Sequence, residues 1–284
     1  MASEEKELWD KTISSKRRLL DLRFKQVWDY RDLVYLFIKR DFVTYYKQTI
    51  LGPLWYLVQP LLSTVMYMLI FGTLAKIGTD GIPQILFYFS GTMLWTYFSE
   101  SLIAGANVFI KNNGIFSKVY FPRLTAPIAS SIGLVIKLLI QFALLVVLYL
   151  YYYFTGANLH LSFLMLLFPV IILWIGLLAT GLGMIISAIT TKYRDLALML
   201  NFLVQLLMYA TPVVYPLSQV PESLKLLFYI NPVSAPIELF RVCFFGAGNV
   251  PLSMIYTSVG ATAVLLFIGL ILFNKNERTF IDVI

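Results

Sequence analysis

"LSFLMLLFPVIILWIGLLATGLGMIISAI", Leu161 to Ile189, runs for 29 residues without a charged side chain. A helix needs roughly 20 apolar residues to cross the ~30 Å hydrocarbon core of a bilayer, so this stretch alone places the chain in a membrane. Composition agrees: of 284 residues 59% are hydrophobic and 13% charged, with a mean hydropathy of +0.79, far from a soluble globular domain. Working outward from Leu161, the same criterion predicts six spans. They are Gly52 to Leu74, Gln84 to Val108, Leu124 to Tyr153, Leu161 to Ile189, Leu196 to Val214 and Leu252 to Phe273. The expected fold is an all-α integral membrane protein with six transmembrane helices, the first opening at Pro53, where a missing N–H costs a helix nothing.

Charge sets the expected orientation. Eleven of the 22 Lys and Arg precede Gly52, and Lys111, Lys118, Arg123, Lys192, Arg194, Lys275 and Arg278 fall on the same side of a six-span chain. Lys76, Lys225 and Arg241 fall on the other, and Lys137 lies inside the third span. Cytoplasmic flanks retain cations, so both termini are expected in the cytoplasm, and the net charge of +7 points to the membrane face and its lipids, with no nucleic acid implied. The first fifty residues lack an apolar core followed by a small-residue cleavage site, so the first span is expected to direct insertion.

Two further segments read as non-spanning. In "LLDLRFKQVWDYRDLVYLFIKRDF", Leu20, Phe24, Val27, Val34 and Ile38 share one helical stripe among basic residues. That is the pattern of a helix in the membrane interface, with the start of a long first helix as the alternative; Gly52-Pro53 favours a break. On the outer side Pro212, Pro216, Pro221, Pro232 and Pro236 divide an apolar stretch into pieces too short to cross. They are expected to dip back as re-entrant helices, tolerated only where protein or a wet cavity surrounds them. The expected organisation is an N-terminal segment over 1–51, a transmembrane domain over 52–274 with an outer gate about 215–248, and a cytoplasmic tail over 275–284.

One cysteine, Cys243, and one histidine, His160, exclude an intrachain disulfide and a Cys- or His-cluster metal site. No phosphate-loop, H-E-x-x-H or G-x-S-x-G motif occurs, and no cluster of intramembrane acids. The chain has no visible means of hydrolysing ATP, so uphill transport would draw its energy from a partner.

Between the second and third spans lies "KNNGIFSKVYFPRLTAP", Lys111 to Pro127. The Asn112 to Gly114 turn, a run at near-helical spacing and the Pro122 break predict a short cytoplasmic helix at about 112–121. Exposed Ile115, Phe116, Val119 and Tyr120 with a basic rim would suit a groove on another protein; an interfacial loop is the other reading.

The N-terminal "RDFVTYYKQTILGPLWYLVQP", then "SKVYFPRLTAP", "TKYRDL", "NPVSAPIELFR" and the tail "ERTFIDVI", in that order over nearly the whole chain, resemble the membrane subunits of ATP-binding-cassette (ABC) exporters for bacterial surface polysaccharides. That family includes permeases for O-antigen, capsular polysaccharide and teichoic acid. The resemblance implies a homodimer in the bacterial inner membrane with two separate ATPase subunits, which would hold ATP and magnesium; this chain would bind no cofactor. It also implies that Lys111 to Arg123 is a coupling helix seated in a cleft of the ATPase, with Asn112, Ile115, Phe116, Lys118, Val119, Tyr120 and Arg123 as its contact residues. The cargo would be a lipid-linked polymer. An exporter of small drugs or lipids, or an intramembrane enzyme on lipid-linked sugars, are the rival readings.

A sugar chain needs flat aromatic faces and few fixed charges along its path. Trp55, Tyr56, Tyr67, Trp95, Tyr97 and Phe98 are the candidates for weak stacking rungs, against ordinary interfacial enrichment of Trp and Tyr. Arg40, Lys47 and Arg123 are candidates for an anionic lipid head, against plain positive-inside flanking charge. Lys137 either pairs with Glu100 across helices or snorkels. Glu238 and Arg241, three apart on the outer segment, either form an ion pair holding a gate or are solvated. Ser101 and Gly105, Ala126 and Ser130, and Ala179 and Gly183 are spaced for close helix packing.

Overall fold

A computed structural model describes residues 24–47, 50–116, 119, 121–157, 159, 161–190, 193 and 195–283, and within them the chain is helical with no strand. Leu20, Lys118 and Tyr120 lie outside the described residues, as does the side chain of Phe24. Helix α1 (Phe24–Asp29) leads into α2 (Arg31–Tyr46), which ends before a 3-10 turn at Gly52–Leu54, where Gly52 has φ +49°. The expected break at Gly52-Pro53 is therefore present. Beyond it α3 (Trp55–Tyr67) passes into a π-helical stretch, Met68–Leu74.

At the centre stands α4 (Gln84–Ala106), buried on nearly every side. Its 23 residues rise about 34 Å. Several hydroxyls turn back onto the previous turn: Ser90 donates to the Phe87 carbonyl at 3.0 Å, and Thr92 to those of Tyr88 and Phe89 at 2.8 and 3.0 Å. Polar side chains thus satisfied can sit inside a bundle. Two single-turn helices follow, α5 (Val108–Lys111) and α6 (Asn113–Phe116), and then α7 (Thr125–Phe154), along which α2 packs.

A 3-10 turn, Phe163–Leu167, opens α8 (Phe168–Thr190), which lies between α4 and α12 (Leu252–Val283). Of the small residues read as packing positions, Gly105 and Gly183 are where two backbones meet. A Cβ on Gly183 would stand 2.9 Å from the Leu102 carbonyl oxygen and 3.0 Å from the Gly105 Cα, and one on Gly181 would stand 2.8 Å from the Leu266 Cα.

The fifth predicted span is shorter than expected. Helix α9 (Leu196–Tyr209) has 14 residues, about 21 Å, and does not reach Val214. Pro212 ends it by disfavouring helical backbone in the residue before. The chain then turns through α10 (Glu222–Ile230) and α11 (Ser234–Phe245), bent against each other by 99°. Gly246 in the left-handed conformation closes α11. Among the described residues four helical segments are long and apolar enough to cross a membrane, Gly52–Leu74, Thr125–Phe154, Phe163–Thr190 and Leu252–Asn276, or five if the bent pair counts as one.

Replacing Gly183 with Leu should wedge α8 from α4. Overpacking of this kind costs about 1–3 kcal/mol, so thermal unfolding of the purified protein should begin several degrees lower, whereas Gly114→Ala, with open space around it, should leave the transition unchanged.

Candidate functional site

Where α2, α3, α4 and α7 meet, a cleft of about 370 Å³ opens beside Tyr56, Glu100 and Lys137. Of the two readings of Lys137, pairing is the one found: its ammonium donates to Glu100 Oε1 at 2.5 Å and lies 5.3 Å from the centre of the Tyr56 ring. The pair is lopsided, with the Lys137 side chain 7% exposed and that of Glu100 35%. One turn along α7, Gln141 Nε2 donates to the Tyr56 carbonyl at 3.0 Å. That carbonyl needs an outside donor because its partner four residues on is Pro60, which has no N–H. Gln141 was missed in the sequence, although its spacing from Lys137 on one helix face was a usable signal.

Lys137 also walls a second cavity, about 80 Å³, with Gln59, Ser63, Tyr67, Trp95 and Thr96. The Tyr67 hydroxyl points to Met208 Sδ of α9 at 3.7 Å, so this cavity lies between α3 and α9 with α4 as its floor. Gln59 in its wall is exposed, as are Asn201 and Gln205 elsewhere on α9. Of the six aromatic candidates, Tyr67 and Trp95 line this cavity and Tyr56 the cleft, while Trp55 is exposed. Tyr97 and Phe98 correct the expectation: both are buried in the core. The Tyr97 hydroxyl is directed at α8, 2.6 Å from where a Cβ on Gly176 would stand.

The segment 107–124 also differs from expectation. The helix expected over about 112–121 begins as α6, separated from α5 by Asn112, which is buried and donates to the Val108 carbonyl at 2.9 Å; the Val119 N–H reaches the Ile115 carbonyl at 3.0 Å, and residues 117, 118 and 120 lie outside the described residues. Phe116, expected to be exposed, is 5% exposed. Its ring packs 5.8 Å from Phe109 and 5.5 Å from Phe121, and Phe109 stacks at 4.8 Å on Phe273 of α12. Apolar periodicity identified the residue as an anchor, but the anchor holds the segment to its own bundle. Ile115 is half-buried, and among the described residues the apolar side chains left outside are Ile110 and Val119, the latter 59% exposed.

The cations expected to share one anion are separately engaged. Arg40 pairs with Asp41 at 2.8 Å, donates to Asn112 Oδ1 at 3.2 Å and lies over the Phe37 ring. Arg123 is buried with its guanidinium 5.5 Å from the Phe116 ring centre. Lys47 is exposed at the end of α2. Asp41 further takes Lys111 at 2.9 Å, tying α2 to α5.

At the opposite end Glu238 and Arg241 form the ion pair, 2.7 Å apart and with both side chains almost wholly buried. Arg241 does more than neutralise Glu238. Its Nη1 donates to the Pro212 carbonyl at 2.6 Å and its Nη2 to that of Val213 at 2.8 Å, while the guanidinium stacks 3.8 Å from the Phe87 ring centre. Gly91, which sequence reasoning passed over, makes room: a Cβ there would lie 2.5 Å from the Val213 oxygen and 3.1 Å from Arg241 Nη2. An arginine so enclosed is a fixed strut between α4, α11 and the turn after α9.

Comparison with known proteins adds one family match and three relatives. A family model described as ABC-2 type transporter matches residues 32–245. The chain is 25% identical over 260 residues to the O-antigen export system permease protein RfbA of Myxococcus xanthus, covering 91% of this chain and 97% of that one. It is 27% identical to an RfbA of Klebsiella pneumoniae over 89% and 95% of the two chains, and 25% identical to the polysialic acid transport protein KpsM of Escherichia coli over 85% and 92%.

Arg241→Met should be among the most damaging single changes, because it strands a buried carboxylate at a cost of about 3–5 kcal/mol. Adding Glu238→Gln should recover only part of the loss, since the Pro212 and Val213 carbonyls still lack donors. Folded yield and thermal unfolding of both variants check this; full recovery in the double variant would reduce Arg241 to a counter-ion.

Proposed function

The chain belongs to the ABC-2 type transporter family, and from that premise we propose that it is the membrane-spanning permease of an ATP-driven exporter for a lipid-linked surface polysaccharide. The observation that carries this reading is the cavity between α3, α4 and α9. Gln59, Ser63, Tyr67, Trp95 and Thr96 meet there within otherwise apolar helices. Polar side chains at bilayer depth face water or a polar ligand in preference to lipid, and rings beside hydroxyl and amide groups suit a saccharide, stacking on its faces and bonding its edges. Relatives named for O-antigen export and polysialic acid transport support a saccharide over a small drug or lipid.

In this reading α4 and α9 join the four apolar segments as six spans, with both termini in the cytoplasm, α1 and α2 in the membrane interface, and α10 and α11 as an outer re-entrant gate. The exposed polar faces of α3 and α9 meet those of a second copy, so that the polymer passes between two protomers. Energy comes from two ATPase subunits that hold the nucleotide and its magnesium. Lys111 to Arg123 couples to them, with Ile110 and Val119 as the outward contacts and Phe116 as the inward anchor transmitting their movement to α12. Lys47, exposed at the end of α2, is a first contact for an anionic lipid head; Arg40 and Arg123 join it only if their present partners release them.

An enzyme reading is disfavoured by the acids available for it. Glu100 and Glu238 are each engaged by a cation and stand at different sites, and Asp80, which shares a cleft with Glu238, already accepts from Ser218, which is a poor starting point for acid–base work.

Mass spectrometry of the tagged chain purified gently from its native membranes should find two copies of it with two of an ATPase subunit. Val119→Asp should abolish that association while leaving the chain at normal abundance. Recovery of the chain alone across several mild detergents would overturn the proposal.

A further inference from the structure

A polar cleft of about 520 Å³ lies above Glu238 and outside the cavity assigned to transport. Three segments shape it. One wall is the connection between the π-helical stretch and α4, in which Lys76 and Asp80 have φ of +53° and +52°, the only non-glycine residues in the left-handed region among those described. Such backbone costs energy and persists where surrounding contacts fix it. Here Asp80 Oδ1 accepts from Ser218 at 2.7 Å, and Gly78 lies so close to Gln219 that a Cβ would meet its amide nitrogen at 2.6 Å. The second wall is α10, which supplies Lys225 and Tyr229; Lys225 is already paired with Glu222 at 2.5 Å. The rim is 246–249, where Gly248 at φ +101° passes Glu238 Oε2 so closely that a Cβ would lie 3.0 Å from it.

We infer that this cleft is a saccharide site on the exit side, held by Asp80, Ser218, Lys225, Tyr229 and Asn249 over the buried Glu238. The chemistry of the lining selects the class of ligand. The Asp80 carboxylate accepts from hydroxyl groups, the remaining N–H bonds of the Lys225 ammonium and the Asn249 amide donate to them, Ser218 does both, and Tyr229 offers a ring to C–H faces. The volume lies within the ~300–1,000 Å³ of small-molecule sites. No group of three metal-ligating side chains occurs among the described residues, and the one cation in the cleft is spent on Glu222, so neither a metal nor a bare anion fits as well. Glu238 forms the floor and its other oxygen engages Arg241, which puts an occupant of the cleft one residue from the strut that holds the α9–α10 turn. The site would take the emerging chain and keep it from sliding back. This inference rests on the reading of the cargo as a saccharide and adds a second, outer station for it.

The test is photo-cross-linking in native polymer-producing cells, with the full chain and its ATPase present. Benzoylphenylalanine replaces Asn249 or Ser218 in the cleft, Gln59 in the α3–α9 cavity, or Thr155, exposed at the same end but outside the cleft. Covalent saccharide is read as a periodate-stained mass increase of the tagged chain. Adducts are expected at Asn249, Ser218 and Gln59 and not at Thr155. Asp80→Asn, which keeps an acceptor for Ser218 but removes the charge, should lower the yield at Asn249 roughly fivefold and leave that at Gln59 unchanged. Adducts at Gln59 with none at Asn249 or Ser218 would overturn the outer site and leave the export reading standing. Adducts as frequent at Thr155 as in the cleft would also overturn it, as surface crowding. Their absence at every position would overturn both.

Discussion

A backbone carbonyl without a helical partner has no water to turn to inside a bilayer, and the architecture is arranged around that constraint. Its strongest expression is Arg241. Helix α9 stops at Tyr209, and the chain reverses through residues whose carbonyls have no helical donor. Arg241 takes those of Pro212 and Val213, Asn231 that of Ala210 at 2.9 Å, and the Tyr215 hydroxyl that of Tyr209. Glu238 neutralises the guanidinium and Gly91 leaves space for it. Pro212 ends α9, and Arg241 then holds the turn that follows and, through Glu238, the floor of the outer cleft. The same device appears at Gln141, which caps the Tyr56 carbonyl orphaned by Pro60, and at Thr190, which donates from α8 to the Ala106 carbonyl at the end of α4.

The two intramembrane ion pairs differ in a way that bears on movement. Glu238 and Arg241 are both enclosed, and separating them would expose two charges to an apolar surround, so they move as one body if they move at all. Lys137 and Glu100 are unequal: the acid is a third exposed and borders the cleft, whereas the cation is buried between the two cavities. Such a pair can exchange partners with solvent at modest cost. The end bearing α10 and α11 is therefore braced, and the region around α2, α3 and α7 is where partition between compartments can shift.

Much of this was legible in the sequence. Long apolar runs and the break at Gly52-Pro53 are local signals that correspond to observed features; for Lys137, and for Glu238 and Arg241 three residues apart, the sequence left pairing as one of two readings, and the structure selects it. The facing of a ring is not a local signal. Phe116 lies in a run whose alternation fits an outward or an inward face, and only Phe109, Phe121 and Phe273, remote in sequence or across a turn, decide for the inside. Tyr97 and Phe98 share α4 with Trp95, but on a helix surrounded by α3, α7 and α8 the face toward α3 and α9 is narrow, and they fall outside it. Gly91 carried no signal, because its reason is an arginine 150 positions later.

The first span shows how local irregularity is used. Between Gly52 and Leu74 the backbone is 3-10, then α-helical with Pro60 inside, then π-helical, and it is the least buried of the membrane-length segments. Each irregularity frees or displaces a carbonyl, and a frustrated helix of this kind would be costly against lipid alone. It is tolerated here because one side is capped by α7 and the other borders polar side chains of the α3–α9 cavity. A helix that bonds its neighbours through side chains can shift against them without unwinding, since side-chain donors reach further than a backbone N–H fixed in place. The element most exposed to the proposed passage is thus also the one whose hydrogen bonding is least tied to a single geometry, and its irregular backbone and polar face are two aspects of the same adaptation.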